Sequence, residues 1–355
     1  MDNVAQKIYF GMDVSDKFVE IFALTPDSAQ NRRMKIENNR ESLSYFCQNI
    51  PDKKAVAVAM ENGTHSPWMS ALIESFGIRC YVGNARKLAA VWCNVHKCDR
   101  DDAEMLARLA KADIKLFAPI KHASMEQMRD LAVLKIRDKL VHNRSSLICT
   151  ARSLFKSLGI EMEDLSVENF SAESAKQLSP EDMKIFDGLL ISIRLLSQQI
   201  KLYDKKIAKL CKKYEVTERL QTVPGVGPVI SLAFALIVGN PERIGTKERA
   251  CSYMGLVPRR DQSGNVDKQL GITKTGNQFM RRLLIQGANY IISRTKDSDL
   301  RRFGEKLSRK GDKISRRKAK VALARKLCAV MYSMWKNETD YEPFYKNFRK
   351  VSKTA

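Results

Sequence analysis

The sequence predicts an α/β N-terminal domain, an α-helical coiled-coil connector and a mainly α-helical C-terminal domain. Short β-rich runs alternate with amphipathic stretches through the first hundred residues, as in an α/β domain. Residues 125–158 then lack Gly and Pro, and apolar residues recur in heptads over residues 189–210. Because 355 residues exceed what one hydrophobic core usually holds, we divide the chain into residues 1–122, 123–215 and 216–355.

The elements of the N-terminal domain follow from local signals. A polar turn separates two β-rich runs, which predicts a hairpin, and Ser, Asn and Pro mark the starts of helices. In chain order we expect a hairpin turning at residues 15–17, strands over residues 55–60 and 78–83, and helices over residues 66–76, from Asn84, and over residues 99–112.

The connector carries the clearest periodic pattern. Its apolar side chains recur at alternating steps of four and three residues, at Leu189, Ile193, Leu196, Ile200, Tyr203, Ile207 and Leu210. This seam is typical of a coiled coil or a helical hairpin. It fits packing inside one subunit as well as contact between subunits, and the second interpretation makes it our candidate for oligomerisation.

The C-terminal domain opens with a glycine-rich turn, PGVGP, before an apolar helix. Its two glycines permit a tight bend, and free amides at the next helix N-terminus can bind a phosphate. We therefore expect Gly225 and Gly227 to contact nucleic acid, as in a helix-hairpin-helix turn. The alternative is a plain loop between core helices. Further along, we expect helices over residues 276–293 and 319–335 and a basic segment over residues 301–320.

The net charge is the most unusual feature of the composition. Lys and Arg number 62 against 40 Asp and Glu, a net charge of +22, whereas the apolar fraction of 44% is ordinary. Such an excess predicts a polyanionic partner, with nucleic acid favoured over an anionic membrane. The sequence has no apolar run that could span a bilayer and no signal-peptide pattern, so we expect no membrane association and a cytoplasmic location.

Four carboxylates are candidates for a metal site. Asp13 lies where the first strand approaches its turn, and Glu61 lies just past a buried strand. Asp99 and Asp102 share a helix face at i, i+3, whereas Asp101 is rotated by about 100° and is a poorer partner. Like charges would raise one another's pKa values unless a cation neutralised them, and Mg²⁺ prefers oxygen ligands. Taken singly, each acid also fits a structural role, such as a turn residue or an N-cap.

The stretch VPRRDQSGNVDKQLGITKTGN places a Ser-Gly pair among basic side chains. Gly264 removes side-chain bulk beside Ser263, which would let a nucleic-acid backbone approach its hydroxyl. A serine needs activation by a base, a metal or local positive charge to act as a nucleophile. Local composition alone favours an ordinary polar turn. The candidate nucleic-acid contacts in this stretch are Arg259, Arg260, Lys268 and Lys274.

The N-terminal motifs resemble those of the DEDD insertion-sequence transposases. The matching segments are GMDVS, MENGTH and KCDRDDA, which contain Asp13, Glu61, Asp99 and Asp102. The resemblance implies an RNase H/RuvC-like fold for this domain. It also implies that these four acids are catalytic and hold a divalent metal, Mg²⁺.

The C-terminal motifs resemble the second domain of the same family. The matching pieces are the GLVPR turn, the Ser-Gly pair, the ITKTGN loop and a helix carrying Arg281 and Arg282, which join the candidate nucleic-acid contacts. The resemblance implies that Ser263 attacks DNA and forms a covalent phosphoserine link. Many members have Ser-Gly-Gly where this chain has Ser263-Gly264-Asn265, a difference that spares the hydroxyl.

The resemblance implies a DNA transposase or recombinase of an insertion sequence. Its active site would be composite, with Ser263 of one subunit meeting the metal-bearing carboxylates of another. The implied partners are donor and target DNA, a structured non-coding guide RNA, and further copies of the chain as dimers that assemble into tetramers. Two alternatives stay open: a RuvC-like metal-dependent junction endonuclease without serine chemistry, and a non-enzymatic nucleic-acid binder whose carboxylates are structural.

Overall fold

The computed structural model describes residues 8–91, 99–263 and 266–345. Within these ranges, only the backbone is described for residues 89–91, 99–100, 260–263 and 266–269. The chain divides into two compact units, Met1–Gln127 and Met128–Ala355. The first unit is mixed α/β and the second is mostly helical. The division at residues 122 and 215 stays a prediction. None of the helices in the described ranges is both long and apolar enough to cross a membrane.

A mixed sheet forms the centre of the first unit. Its strands are β1 (Ile8–Val14), β2 (Phe18–Leu24), β3 (Arg32–Glu37), β4 (Val56–Glu61), β5 (Arg79–Gly83) and β6 (Pro119–Ile120), in the spatial order β3-β2-β1-β4-β5-β6. The helices are α1 (Arg40–Gln48), α2 (Ser66–Ser75), α3 (Ala85–Val91), α4 (Asp99–Ala112) and α5 (Ile114–Phe117). β1 pairs antiparallel with β2 and parallel with β4, which confirms the expected hairpin.

The two faces of this sheet carry separate apolar cores. On one face, Met12 belongs to a buried cluster with Leu43 of α1 and Met69 of α2. On the other face, Ala59 is clustered with Leu106 of α4. Because side chains alternate across a strand, even-numbered residues of β1 and β4 face α1 and α2, and odd-numbered residues face α4.

Helix α4 crosses β1 in direct backbone contact at Gly11. A Cβ atom added to Gly11 would lie 1.8 Å from the Ala103 carbonyl oxygen and 2.7 Å from the Ala107 amide nitrogen. Both helix residues are small and buried. The first turns of α4 are therefore fixed over the middle of β1, because no side chain separates the two backbones.

The second unit is built from helices around apolar clusters. Its elements, in chain order, are α6 (Met125–Ser157), α7 (Phe170–Gln177), α8 (Pro180–Lys213), α9 (Val216–Gln221), α10 (Pro228–Val238), α11 (Pro241–Ile244), α12 (Lys247–Tyr253), β7 (Pro258–Ser263), β8 (Val266–Ile272), α13 (Gln278–Arg294), α14 (Asp299–Ser308) and α15 (Lys313–Lys336). The apolar α10 is buried from Ile230 to Val238, in the same core as α13 and α15. The mostly helical character is confirmed, whereas the β7–β8 pair was not expected from the sequence.

The heptad seam of α8 packs in part inside the chain. Ile193 belongs to a buried cluster with Phe155 of α6, and Ile207 belongs to one with Leu134 of α6. Ile200, between them, is buried as well. These residues fit the interpretation of the seam as packing within one subunit, and a coiled-coil connector is not confirmed.

Candidate active site

Asp13 and Glu61 lie at the carboxyl ends of two neighbouring parallel strands. Met12 of β1 is in register with Met60 of β4, so the next residue along each strand is Asp13 and Glu61. Asp13 is half-buried and Glu61 is exposed. Since carboxyl ends of parallel strands meet at one edge of a sheet, the two acids share that edge.

The alternation of side chains puts both acids on the α4 side of the sheet. Asp13 shares its face of β1 with Gly11, the residue on which α4 rests. Asp102 immediately precedes Ala103, whose carbonyl oxygen approaches Gly11, and it is half-buried. Asp102 therefore projects from the part of α4 that crosses β1. Asp99 begins α4, and its side chain lies outside the described ones.

The chemistry of these donors fits Mg²⁺, which takes oxygen ligands. Within the described residues, however, no three acidic, histidine or cysteine side chains stand close enough to hold a metal ion. The Asp99 side chain is not among those searched. The four-residue metal site therefore stays a prediction, with Asp13, Glu61 and Asp102 on one side of the sheet.

The acids that neighbour Asp102 on α4 are already paired with a cation. Arg33 Nη1 lies 3.6 Å from Asp101 Oδ1, and Arg33 Nη2 lies 2.6 Å from Glu104 Oε2. Both contacts tie α4 to β3, so Asp101 and Glu104 have a structural role. This agrees with the sequence argument that Asp101 points away from Asp102.

Glu20 is an acid near the site that the sequence argument missed. It lies directly opposite Asp13 in the antiparallel β1–β2 pair. Its Oε1 lies 2.8 Å from Lys35 Nζ of β3, so its charge is balanced within the sheet. The observed register places it there, because Val14 pairs with Val19 across a four-residue connection, whereas the three-residue turn expected from the sequence would have put Val19 opposite Asp13.

A polar contact joins the β1–β2 turn to the connection after β4. His65 Nε2 lies 3.1 Å from Asp16 Oδ1. Next to it, the buried Ser66 hydroxyl donates to the Gly63 carbonyl oxygen at 2.9 Å and lies 3.0 Å from His122 Nε2. Burial lowers the pKa of His122. These contacts hold together the two segments that follow Asp13 and Glu61 in sequence, and the sequence argument did not identify them.

Ser263 is the last residue of β7, at the end of an antiparallel hairpin. It pairs with Val266 of β8, while Pro258 pairs with Ile272 at the opposite end. Gly264, which follows Ser263, lies outside the described residues. The backbone therefore places Ser263 at the end of a two-stranded antiparallel sheet, which is a more specific position than a polar loop.

The basic side chains along this hairpin are described only in part. Arg259 is exposed, whereas the side chains of Arg260, Ser263 and Lys268 lie outside the described ones, as does all of Asn265. Arg260 pairs with Gln269 in the backbone register, and Asp261 pairs with Lys268. Their predicted contacts with nucleic acid stay predictions.

The basic residues after the hairpin have different environments. Lys274 is exposed, with a left-handed φ of 55°. Arg281 is buried, and its Nη1 donates to the Met254 carbonyl oxygen at 3.0 Å, which makes it a structural support inside the unit. Arg282 forms an ion pair with Asp138 of α6. Nucleic-acid contacts by these three residues stay predictions.

The glycine-rich turn between α9 and α10 is tight. Gly225 has a φ of 85°, and a Cβ atom there would lie 2.9 Å from the Gly287 carbonyl oxygen of α13. Gly227 is the N-cap of α10, and no side chain caps that helix end. The turn is therefore closely packed, and both its likeness to a helix-hairpin-helix turn and its contact with nucleic acid stay predictions.

Comparison with known families matches both regions that carry the candidate residues. The family described as a DEDD transposase of the IS110 type matches residues 10–160, which include the four candidate acids. The family described as "Transposase IS116/IS110/IS902 family" matches residues 217–318, which include Ser263.

Individual relatives agree with these matches. The transposase for insertion sequence element IS1111A of Coxiella burnetii is 31% identical over 210 residues, which is 57% of this chain and 57% of that protein. A putative transposase of Sinorhizobium fredii, y4pF/y4sB, is 26% identical over 96% of this chain and 87% of its own. The pilin gene-inverting protein of Moraxella lacunata is 25% identical over 69% of this chain and 68% of its own. The chain therefore belongs to the DEDD-type IS110/IS116 family of transposases.

Proposed function

We propose that this chain cuts and rejoins DNA strands as the transposase of an insertion sequence, through a covalent phosphoserine and with the help of Mg²⁺. The observation that carries the proposal is the placement of Asp13 and Glu61 at adjacent parallel strand ends, on the face that α4 covers with Asp102. Family membership supports the same chemistry, because both matched regions contain candidate site residues.

Each residue has a defined task in this reaction. Ser263 Oγ forms a bond to the scissile phosphorus while the bridging P–O bond breaks, and the serine proton passes to a base or solvent. The released sugar oxygen takes up a proton. Attack by a hydroxyl from another strand end on the phosphoserine then rejoins the DNA and frees the serine. Exposed Arg259 is available to hold the phosphate during these displacements.

Asp13, Glu61, Asp99 and Asp102 would hold the divalent metal. A metal bound there would stabilise the negative charge that develops on the phosphate oxygens. Because the acids and Ser263 belong to different compact units, the resemblance to DEDD transposases supports a composite site assembled from two subunits.

Replacing Asp102 by asparagine should lower strand exchange by about 100-fold or more, because one charge at the metal is lost. The measurement is recombination between a donor and a target plasmid in the presence of Mg²⁺. Asp101→Asn is the matched control, since it makes the same change one residue away on an acid paired with Arg33. Equal activity of the two variants would contradict the assignment of Asp102 to the metal site.

Donor DNA, target DNA and a structured non-coding guide RNA are the proposed partners. The net charge of +22 supports binding to polyanions, and the resemblance supports the guide. Purified chain should carry an RNA encoded beside its own gene. The test is to sequence the co-purified nucleic acid that resists DNase and is degraded by RNase. Recombination by protein from which the RNA has been removed would contradict the need for a guide.

The proposed homo-oligomer has a candidate contact on the outer side of α8. Leu195 and Leu202 are one heptad apart and are 53% and 49% exposed, whereas the inward seam is partly buried. Leu195→Glu combined with Leu202→Glu should lower the assembled mass in light scattering, because charges oppose apolar contact. Ala208→Glu adds a negative charge to another side of the same helix and should not. An unchanged mass in the leucine variant would exclude this face.

A further inference from the structure

A basic cavity lies at the base of the β7–β8 hairpin. It is an open cavity with a volume of about 810 Å³, lined by residues of α12, β7, β8 and α15 with a contribution from α14. Its apolar lining includes Leu256, Ile272, Phe303 and Val321. A volume of this size is in the range of sites that enclose a small organic molecule.

The rim of the same cavity is strongly basic. Among the lining residues whose side chains are described, the basic ones are Lys247, Lys274, Arg317, Lys318, Arg325 and Lys326, and the acid is Glu248. The Lys326 ammonium lies 4.5 Å from the centre of the Phe303 ring, so the apolar lining and the basic rim meet directly. A free inorganic phosphate would not use the apolar lining, and an apolar ligand would not use the rim. A nucleobase with its flanking phosphates uses both.

The position of the cavity favours DNA as the source of that base. Pro258 and Ile272, which pair at the base of the hairpin, both line the cavity, and Ser263 lies at the other end. Ser263 is five residue steps along β7 from Pro258, or about 17 Å at roughly 3.3 Å per step. A strand that reacts at Ser263 and follows the hairpin therefore reaches the cavity within a few nucleotides.

We propose that this cavity receives an unstacked base of the DNA strand that reacts at Ser263, with the rim cations on its flanking phosphates. The assignment of DNA rests on the proposed function. Holding one base out of the stack would fix the position of the scissile phosphate relative to the hairpin, since the distance between cavity and serine is set by the strands.

The first test compares two pairs of cations on α15. Arg317→Ala with Lys318→Ala removes rim charges, and Lys313→Ala with Arg316→Ala removes two exposed charges from the same helix outside the cavity. Binding is measured in full-length Ser263→Ala protein by fluorescence anisotropy, with a labelled oligothymidylate of about 20 nucleotides. The rim variant should bind about tenfold more weakly than the control variant. Equal affinities would mean that only the overall field of the protein attracts DNA, and would overturn the proposal.

The second test isolates the base from the phosphates. Ala322 is half-buried in the cavity wall, and Ala322→Trp fills the cavity without changing its charge. Ser263→Ala protein with Ala322 unchanged should bind oligothymidylate about tenfold more tightly than an abasic strand of equal length. The protein that also carries Ala322→Trp should lose this preference. A folded Ala322→Trp protein, judged by circular dichroism, that keeps the preference would overturn base insertion. If the Ala322→Trp protein misfolds, the test is the binding of the two strands by Ser263→Ala protein with Ala322 unchanged. Equal affinities for oligothymidylate and the abasic strand would overturn base insertion.

The source of the base is tested with oligouridylate and with free thymidine monophosphate. Tighter binding of oligouridylate than of oligothymidylate, if it depends on the rim residues, would overturn the assignment to DNA. Binding of thymidine monophosphate as tight as that of oligothymidylate would overturn it as well. Because every measurement uses Ser263→Ala protein, binding at the cavity is read independently of serine chemistry. If the phosphoserine proposal is wrong, these binding measurements are still valid. If the cavity does not bind a base, wild-type protein can still form the adduct.

Discussion

Replacing Ser263 by alanine should abolish the covalent protein–DNA adduct. The wild-type chain, incubated with its donor DNA and Mg²⁺, should give a species that resists denaturant and is released by proteolysis. Alanine has no oxygen to bond to phosphorus, so the loss should be complete rather than partial. The measurement is denaturing electrophoresis of a labelled donor strand, with mass spectrometry of the attached peptide.

The matched control for this experiment is Ser252→Ala, which removes an exposed hydroxyl from α12 in the same unit. It should form the adduct as the wild type does. Cleavage at a normal rate by Ser263→Ala would show that water is the nucleophile. The chain would then act as a RuvC-like junction endonuclease, and the serine chemistry would be withdrawn while the roles of the acids could stand.

Replacing Gly11 by alanine should destabilise the first unit by about 3 kcal/mol or more, near or beyond the upper end of the usual overpacking cost. The added Cβ would lie 1.8 Å from the Ala103 carbonyl oxygen, and the backbone of α4 can relieve this contact only by moving away from β1. Because α4 carries Asp99 and Asp102, strand exchange should fall with stability. Hydrogen exchange of the β1 and α4 amides measures the effect without assuming that both units unfold together.

Gly63→Ala makes the same chemical change in the same unit and serves as the control. A Cβ atom at Gly63 would have no neighbour within 4 Å. The β1 and α4 amides of the Gly63→Ala protein should exchange at the wild-type rate. Unchanged exchange in Gly11→Ala would mean that α4 does not pack against β1 as closely as the backbone contact requires, and the placement of Asp102 on the Asp13 side of the sheet would lose its support.

The hairpin, β4, β5 and the helices that follow them were accessible from the sequence, because their signals are local, whereas β3 and α1 were not identified. The turn after Asp13 and the buried run before Glu61 are both short-range patterns, and each gives a strand end. Gly11 was not accessible, since its contact with Ala103 joins residues that are far apart in sequence. Local sequence patterns do not indicate which glycine a helix will cross.

Other features show what charge and periodicity leave open without tertiary contacts. Arg281 is buried and donates to the Met254 carbonyl oxygen, an environment that its charge alone does not indicate, and its expected contact with nucleic acid stays a prediction. Ile193 and Ile207 in the heptad seam pack against α6, and the heptad pattern is the same for contacts within a chain and between chains. The β7–β8 hairpin was missed because its strands are rich in charge and lack a continuous alternation of apolar residues.

The backbone contact between Gly11 and α4 has a consequence for how this unit can change over evolution. Met12 and Met60 sit in a side-chain core on the opposite face, where volume can be exchanged among neighbours at modest cost. The spacing between Asp13 and α4 depends instead on two backbones and on small residues, Ala103 and Ala107. The core behind the sheet can therefore drift in sequence or be redesigned for stability while the alignment of the acids is preserved. At Gly11 the chain has no such freedom.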